Sequence, residues 1–229
     1  MPSWYSPPAQ PAAEAAPVDS APEEPLPPAL PPGWFGSIGV RTAYIDHTGL
    51  DPFSENDALI QGSIALSRRV WMQGSFSVAG AIELDFGSTN ATARGETTKL
   101  DTWRATVGPE LRWNLIPQLF FYARPSVGVS RSVASLEEGT SKTTLYAKSW
   151  DLALDGAGGA AFAFWDLRKG SSDLRFWVVG EGGYAWSQSS ELRLSPEEGS
   201  GAPERTEPLD LGELALRGGY FKLAIAASF

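Results

Sequence analysis

A two-residue alternation recurs eight times between Trp34 and Phe229, and no other feature restricts the fold so strongly. The final run shows it best. Gly219, Phe221, Leu223, Ile225, Ala227 and Phe229 share one parity, while Tyr220, Lys222, Ala224, Ala226 and Ser228 share the other. A strand turns successive side chains to opposite faces, so this run has one oily side and one wet side. The seven runs before it cover residues 34–44, 59–66, 71–86, 102–113, 119–130, 149–164 and 174–186. In the third, Met72, Phe76, Val78, Ile82, Leu84 and Phe86 oppose Gln73, Ser75, Ser77, Ala79, Glu83 and Asp85. Helical spacing fits none of them.

The connections alternate in length. Short ones, 67–70, 114–118 and 165–173, follow the second, fourth and sixth runs. Long polar ones, 45–58, 87–101, 131–148 and 188–217, follow the others. An even strand count with short turns at one end and long loops at the other predicts an all-β, eight-stranded antiparallel up-and-down transmembrane barrel. Closure satisfies every backbone group inside lipid, which an open sheet cannot do. No stretch is apolar for long enough to form a transmembrane helix.

The aromatic residues follow the same geometry. Trp34, Trp71, Trp113, Phe121, Phe164, Phe176 and Phe229 fall at the short-turn end. Tyr44, Phe86, Trp103, Trp150, Tyr184 and Trp186 fall at the long-loop end. Two girdles are expected where rings meet two membrane interfaces. Pro109 and Pro125 lie inside the fourth and fifth runs, almost opposite one another, and predict a local bulge.

Residues 1–33 are different. Eleven of the eighteen prolines lie between Pro2 and Pro32, and the only charges are Glu14, Asp19, Glu23 and Glu24. So little apolar bulk cannot build a core, and a disordered acidic periplasmic spacer is expected. At about 3.1 Å per residue in polyproline II it would reach up to ~100 Å. Met1-Pro2-Ser3-Trp4 has neither a basic n-region nor an apolar h-region, so either an export signal has been removed, or the start is an artificial boundary, or the protein is not exported; one of the first two is expected. The chain has no cysteine, which excludes disulfides and thiolate metal sites. A net charge of −9 with no basic patch argues against nucleic acid.

From residue 34 onward the chain resembles the small eight-stranded outer-membrane barrels of the OmpA and OmpX kind. The resemblance implies an insertion signal in the last strand, read by the barrel-insertion machinery. Phe221, Leu223, Ile225 and Phe229 match that signal, with Ala227 a smaller member. It also implies outer-membrane localisation with both termini in the periplasm, and lipids and lipopolysaccharide as surroundings.

Twelve charges take the inward parity: Arg41, Arg104, Arg112, Arg124, Arg175 and Lys222 against Glu83, Asp85, Glu110, Asp151, Asp155 and Glu181. Buried charges must pair, and six against six permits it. Eight strands leave a lumen that side chains fill, so a charge plug is expected over a gated pore. Gly156, Gly158, Gly180 and Gly182 take the outward parity on the sixth and seventh runs and form a small-residue patch. Close packing of a partner there is the sharper reading, and relief of curvature the plainer one.

His47 is the only histidine, close in sequence to Ser54. Some barrels of the resembling class modify lipid A with a rim histidine and serine, so these two are the candidates for catalysis; no enzyme is expected. Asp51, Glu55, Asn56 and Asp57 cluster in the first loop, and Glu197, Glu198, Glu204, Glu207 and Asp210 in the last. The ordered spacing of a calcium loop is missing, so no metal or cofactor is expected. Asn90-Ala91-Thr92 matches a glycosylation sequon that a bacterial-type barrel would not use. The expected role is structural or surface interaction by a monomer. A narrow channel or solute transporter is the first alternative, a lipid A-modifying enzyme the second, and a soluble lipocalin-like barrel the third.

Overall fold

The computed structural model describes residues 33–54, 56–93, 96–137, 144–169, 172–196 and 209–229. The expected spacer lies outside these residues, as do Glu55, Glu197, Glu198, Glu204 and Glu207. Among the described residues there are ten strands and one 3-10 turn (Thr48–Leu50): β1 (Trp34–Tyr44), β2 (Ala58–Gln73), β3 (Phe76–Ala93), β4 (Glu96–Ile116), β5 (Leu119–Glu137), β6 (Thr144–Lys169), β7 (Ser172–Ser187), β8 (Ser190–Pro196), β9 (Leu209–Leu214) and β10 (Gly218–Ser228).

Eight of them close a ring. Each of β1 to β6 pairs with the next strand, β7 pairs with β10, and β10 pairs with β1, all antiparallel. The expected eight-stranded up-and-down barrel is therefore the fold. Paired rows followed around the ring from Phe35 climb to the level of Ile45, just past the end of β1. The strands are tilted and staggered accordingly, as closure requires.

Polarity is inverted relative to a soluble protein. Ile38, Val107, Val127, Leu154, Leu223 and Ile225 are exposed on the outside, whereas Arg41, Glu83, Asp85, Arg124, Glu181 and Lys222 are buried inside. The lumen is filled in three layers. At the short-turn end Phe35, Phe120, Tyr122, Trp177 and Val179 pack together. Phe120 and Trp177 meet edge-on at 5.2 Å, and Phe35 lies 5.7 Å from Phe120. The charges form the middle layer. At the long-loop end the 3-10 turn, Phe53 and the β8–β9 hairpin fold inward, so that Leu50, Phe53, Leu192, Leu194, Leu214 and Leu216 make an apolar cap.

Several boundaries differ from the sequence reading. The first short turn is Gly74-Ser75, not residues 67–70, and Gly74 takes φ +57°, a conformation glycine adopts without strain. Trp71, Met72 and Gln73 consequently end β2. A bulge between Arg69 and Trp71 adds one residue, so Val70 and Trp71 both face outward and Met72, opposite Ser77, faces in. Two further bulges do the same at this end of the barrel. Leu115 and Ile116 are both exposed where β4 shifts register, and Phe164 and Trp165 where β6 does. Each bulge thickens the exterior apolar belt beside a turn.

Two of the long loops are mostly strand. β3 and β4 stay paired to Ala93↔Glu96, and β5 and β6 to Glu137↔Thr144, so both hairpins extend well past the tryptophan level. The last loop holds β8 and β9. Pro109 and Pro125 do stand opposite one another, but there is no bulge. Pairing of β4 with β5 is present at Val107↔Val127 and Leu111↔Ala123, lapses between them, and resumes in unchanged register. Neither proline has an N–H to donate across the gap, so bonds are lost without a residue being added.

Candidate functional site

Register brings the middle-layer charges together. Lys222 opposes Glu181 across β10–β7 and Arg41 across β10–β1, while Asp85 opposes Arg104 across β3–β4. Two clusters result. In the first, the Lys222 ammonium donates to Glu83 at 2.7 Å and lies 3.1 Å from Glu181. Arg124 pairs with Glu83 and, at 2.8 Å, with Glu181. Tyr122 and Tyr220 donate to Glu181 at 2.6 Å and 3.0 Å, and Ser63 donates to Glu83 at 2.9 Å. Arg124 reaches Glu110 at 3.8 Å, and Arg112 donates to Glu110 at 2.6 Å and to the Ser67 hydroxyl at 2.5 Å. The Arg112 guanidinium is held between the rings of Phe35 and Phe120, 5.1 Å and 5.0 Å away.

The second cluster lies nearer the cap. Arg41 pairs with Asp85, lies 3.6 Å from Asp155, and stacks 3.8 Å over the Tyr220 ring. Arg104 donates to both Asp155 oxygens, at 3.0 Å and 2.6 Å, and to the Leu154 and Trp186 carbonyls. Five bases (Arg41, Arg104, Arg112, Arg124, Lys222) and five acids (Glu83, Asp85, Glu110, Asp155, Glu181) thus share two adjoining networks. A cavity of about 20 Å³ remains beside Glu110, Arg124, Glu181 and Lys222, space on the scale of one water molecule.

The other two inward charges stand apart, one toward each end. Arg175 lies 3.4 Å from Asp166 and donates to the Pro117 carbonyl where the β4–β5 turn folds in. Asp151 accepts from the Ser149 and Ser190 hydroxyls at 3.0 Å and 3.3 Å, near the start of β8. Arg69 is a further inward base that a turn placed at residues 67–70 hides; its partner across β3 is the fully buried Ala79. Phe35, Phe120 and Trp177 were also missed as lumen residues, though each has the inward parity of its strand. The Trp177 indole donates to the Ser228 hydroxyl at 2.7 Å.

Phe221, Leu223, Ile225 and Phe229 are exposed on the exterior of β10, and Ala227 is half-buried. Trp34, Trp71 and Trp113 are exposed at the short-turn end, and Trp103, Trp150 and Tyr184 at the other, where Trp186 is half-buried. Of the outward glycines, Gly158 and Gly182 are direct partners; Gly156 opposes Pro125 and Tyr184, and Gly180 opposes Ala160 and Leu223. A Cβ at Gly156 or Gly180 would meet nothing within 4 Å, so the barrel itself does not require glycine there.

His47 caps the 3-10 turn: its Nδ1 accepts from the Gly49 N–H at 3.1 Å. Gly49 in turn allows close approach to β9, since a Cβ there would lie 2.1 Å from the Glu213 carbonyl oxygen. The Ser54 hydroxyl bonds within its own loop, to Ala58 and Asn56. Asp210 accepts from the Gly212 N–H at 2.8 Å.

No family model matches the sequence, and no curated protein is similar to it. Among solved structures the chain is similar to Ail, the attachment invasion locus protein of Yersinia pestis. Identity is 12%, coverage 87% of this chain and 100% of that one, and the TM-score 0.47. It is similar to the outer membrane protease OmpT of Escherichia coli at 8% identity, 87% and 97% coverage and a TM-score of 0.47. The transport unit of the autotransporter AIDA-I from Escherichia coli superposes less well, with 11% identity, 89% and 92% coverage and a TM-score of 0.38. The fold, a closed eight-stranded antiparallel barrel, rests on the strand pairing and not on these superpositions.

Proposed function

We propose that the chain is an integral outer-membrane protein whose sealed barrel anchors and presents the outer hairpins and loops, in a structural or surface-interaction role. One observation carries this reading: the wall is apolar outside while ten paired charges lie inside between two apolar plugs. A soluble ligand-binding barrel needs the reverse polarity, and its lumen must hold a ligand. Here the inner space is occupied by side chains, which also argues against a conducting path.

In this reading both termini face the periplasm, and β10 carries the insertion signal on its exposed side through Phe221, Leu223, Ile225, Ala227 and Phe229. The barrel is a monomer with lipid around it, including at the small-residue face of Gly156, Gly158, Gly180 and Gly182. His47 acts in shaping the first loop.

The test uses the full chain folded into lipid. It should give a compact band on an unheated SDS gel that shifts on boiling, and it should leave planar bilayers without discrete conductance steps. Single-channel openings that track the amount of folded protein would replace the anchoring role with a transport one.

A further inference from the structure

The short-turn end of the barrel, where residues 1–32 join the wall, has basic groups without enough acceptors. Trp34 and Phe229 exchange backbone bonds at 3.0 Å and 3.1 Å, and the Arg69 N–H donates to the Gly33 carbonyl at 2.8 Å. The chain before Gly33 therefore leaves the wall beside Arg69. That side chain takes the inward face, opposite the fully buried Ala79. Its Nη1 is buried without a hydrogen-bond partner, and no carboxylate pairs with it among the described residues.

Other cations at this end cannot be neutralised locally either. Arg112 reaches Ser67, two positions from Arg69 on the same face, but its charge is already matched by Glu110. Across β1 and β10 from Arg69, Arg175 is almost fully buried. It lies 3.4 Å from Asp166 and donates to the Pro117 carbonyl, yet its Nη2 is also buried without an acceptor. Guanidinium nitrogens in that state are costly, so the mouth is set up to receive a carboxylate.

Residues 1–32 lie outside the described residues, and their sequence supplies that chemistry. Their charges are Glu14, Asp19, Glu23 and Glu24, with no lysine or arginine. Glu24 stands nine residues before Gly33, a reach of about 28 Å in polyproline II. The prolines between them are interrupted by one adjacent pair of other residues, Ala29-Leu30, where the chain can double back. Glu23 and Glu24 have the shortest tether, and so the highest effective concentration at the mouth.

We propose that the tail is a strap: it folds back on the short-turn mouth and sets Glu23-Glu24 against Arg69, with Arg175 as the second cation. A guanidinium takes a carboxylate through charge-assisted, paired hydrogen bonds. The contact is electrostatic, so ionic strength switches the segment between a docked strap and a released tether. It needs only that tail and mouth share one end of the barrel, and holds whichever compartment that end faces.

Double electron–electron resonance on the full chain, folded in detergent, tests it. The chain has no cysteine, so Ser20→Cys with Ser75→Cys, in the Gly74-Ser75 turn, carries a unique pair of spin labels. At low salt this labelled parent should give one short, narrow distance distribution. Salt at about 1 M, where the Debye length is about 3 Å, should lengthen and broaden it. Arg69→Gln should lower the docking equilibrium constant about tenfold. Glu23→Gln/Glu24→Gln should do the same while leaving every barrel residue in place. Exchanging the charges, Arg69→Glu with Glu23→Arg/Glu24→Arg, should restore the short distance. Each protein is first checked for its heat-dependent gel shift. A long, broad distribution in the folded parent at low salt would overturn the strap, as would a short distance kept in the folded glutamine variants. A short distance that disappears on dilution with unlabelled chain would assign the mouth to the tail of a second copy and overturn the intramolecular contact.

Discussion

At the scale of single residues, Glu181 holds the lumen together. It receives Arg124, Lys222, Tyr122 and Tyr220 and is almost fully buried. Glu181→Ala leaves two buried cations short of a partner. Breaking a buried pair from one side costs about 3–5 kcal/mol, so urea unfolding in vesicles should show a loss of that size. Tyr122→Phe removes one hydrogen bond and should cost about 1–3 kcal/mol, since the carboxylate keeps its other partners. Equal effects from the two variants would contradict the network as described. The face taken by each charge was legible in the sequence, because parity is strict along a strand. The partner was not: parity gives no register, and it could not foresee that Asp151 would turn to serines and Arg175 to a turn carbonyl. Arg69 was lost for a simpler reason, a turn placed at residues 67–70 where the strand continues through a bulge to Gln73. Deletion of Phe229 tests another single position. It should prevent assembly, giving no heat-dependent gel shift in membrane fractions, whereas Glu181→Ala should still insert.

At the scale of elements, the outer cap is the part that sequence reasoning least foresaw. Leu192, Leu194, Leu214 and Leu216 alternate visibly, but the acidic residues around them made the stretch look like a solvated loop. What decides their burial is the open mouth of the barrel, an apolar cavity that only exists once the ring has closed. Phe53 and Leu50 reach it because His47 starts a 3-10 turn and Gly49 lets that turn pack against β9. Phe53→Ala should cost about 3–5 kcal/mol locally. The expected signature is faster hydrogen exchange and protease cleavage in residues 45–58 and 188–217, with the heat-dependent gel shift retained. Loss of the shift would show that cap and barrel fold as one unit. The three bulges were also illegible, since each merely adds one apolar residue to an apolar run; their common place beside the turns follows from the need to widen the belt where strands end.

At the scale of the whole molecule, eight strands, their order and their up-and-down course could be read from alternation and loop lengths alone. Those signals are set by the wall, which is lipid-like on one side and filled on the other. Filling of the lumen by three layers leads to a further expectation. Removing the β8–β9 hairpin should not open a conducting path, because the charge networks and the Phe35, Phe120 and Trp177 layer remain; bilayer recordings of that deletion should stay silent. A membrane-spanning barrel is defined by which surface meets lipid. The chain has no cysteine, so a single introduced thiol gives a unique label. A fluorophore on Val127→Cys, mid-strand on the exterior, should be strongly quenched by brominated lipid tails and hardly at all by aqueous iodide. A label on Thr97→Cys, near the tip of the β3–β4 hairpin, should show the opposite. Iodide quenching at Val127 equal to that at Thr97 would contradict a membrane-spanning barrel.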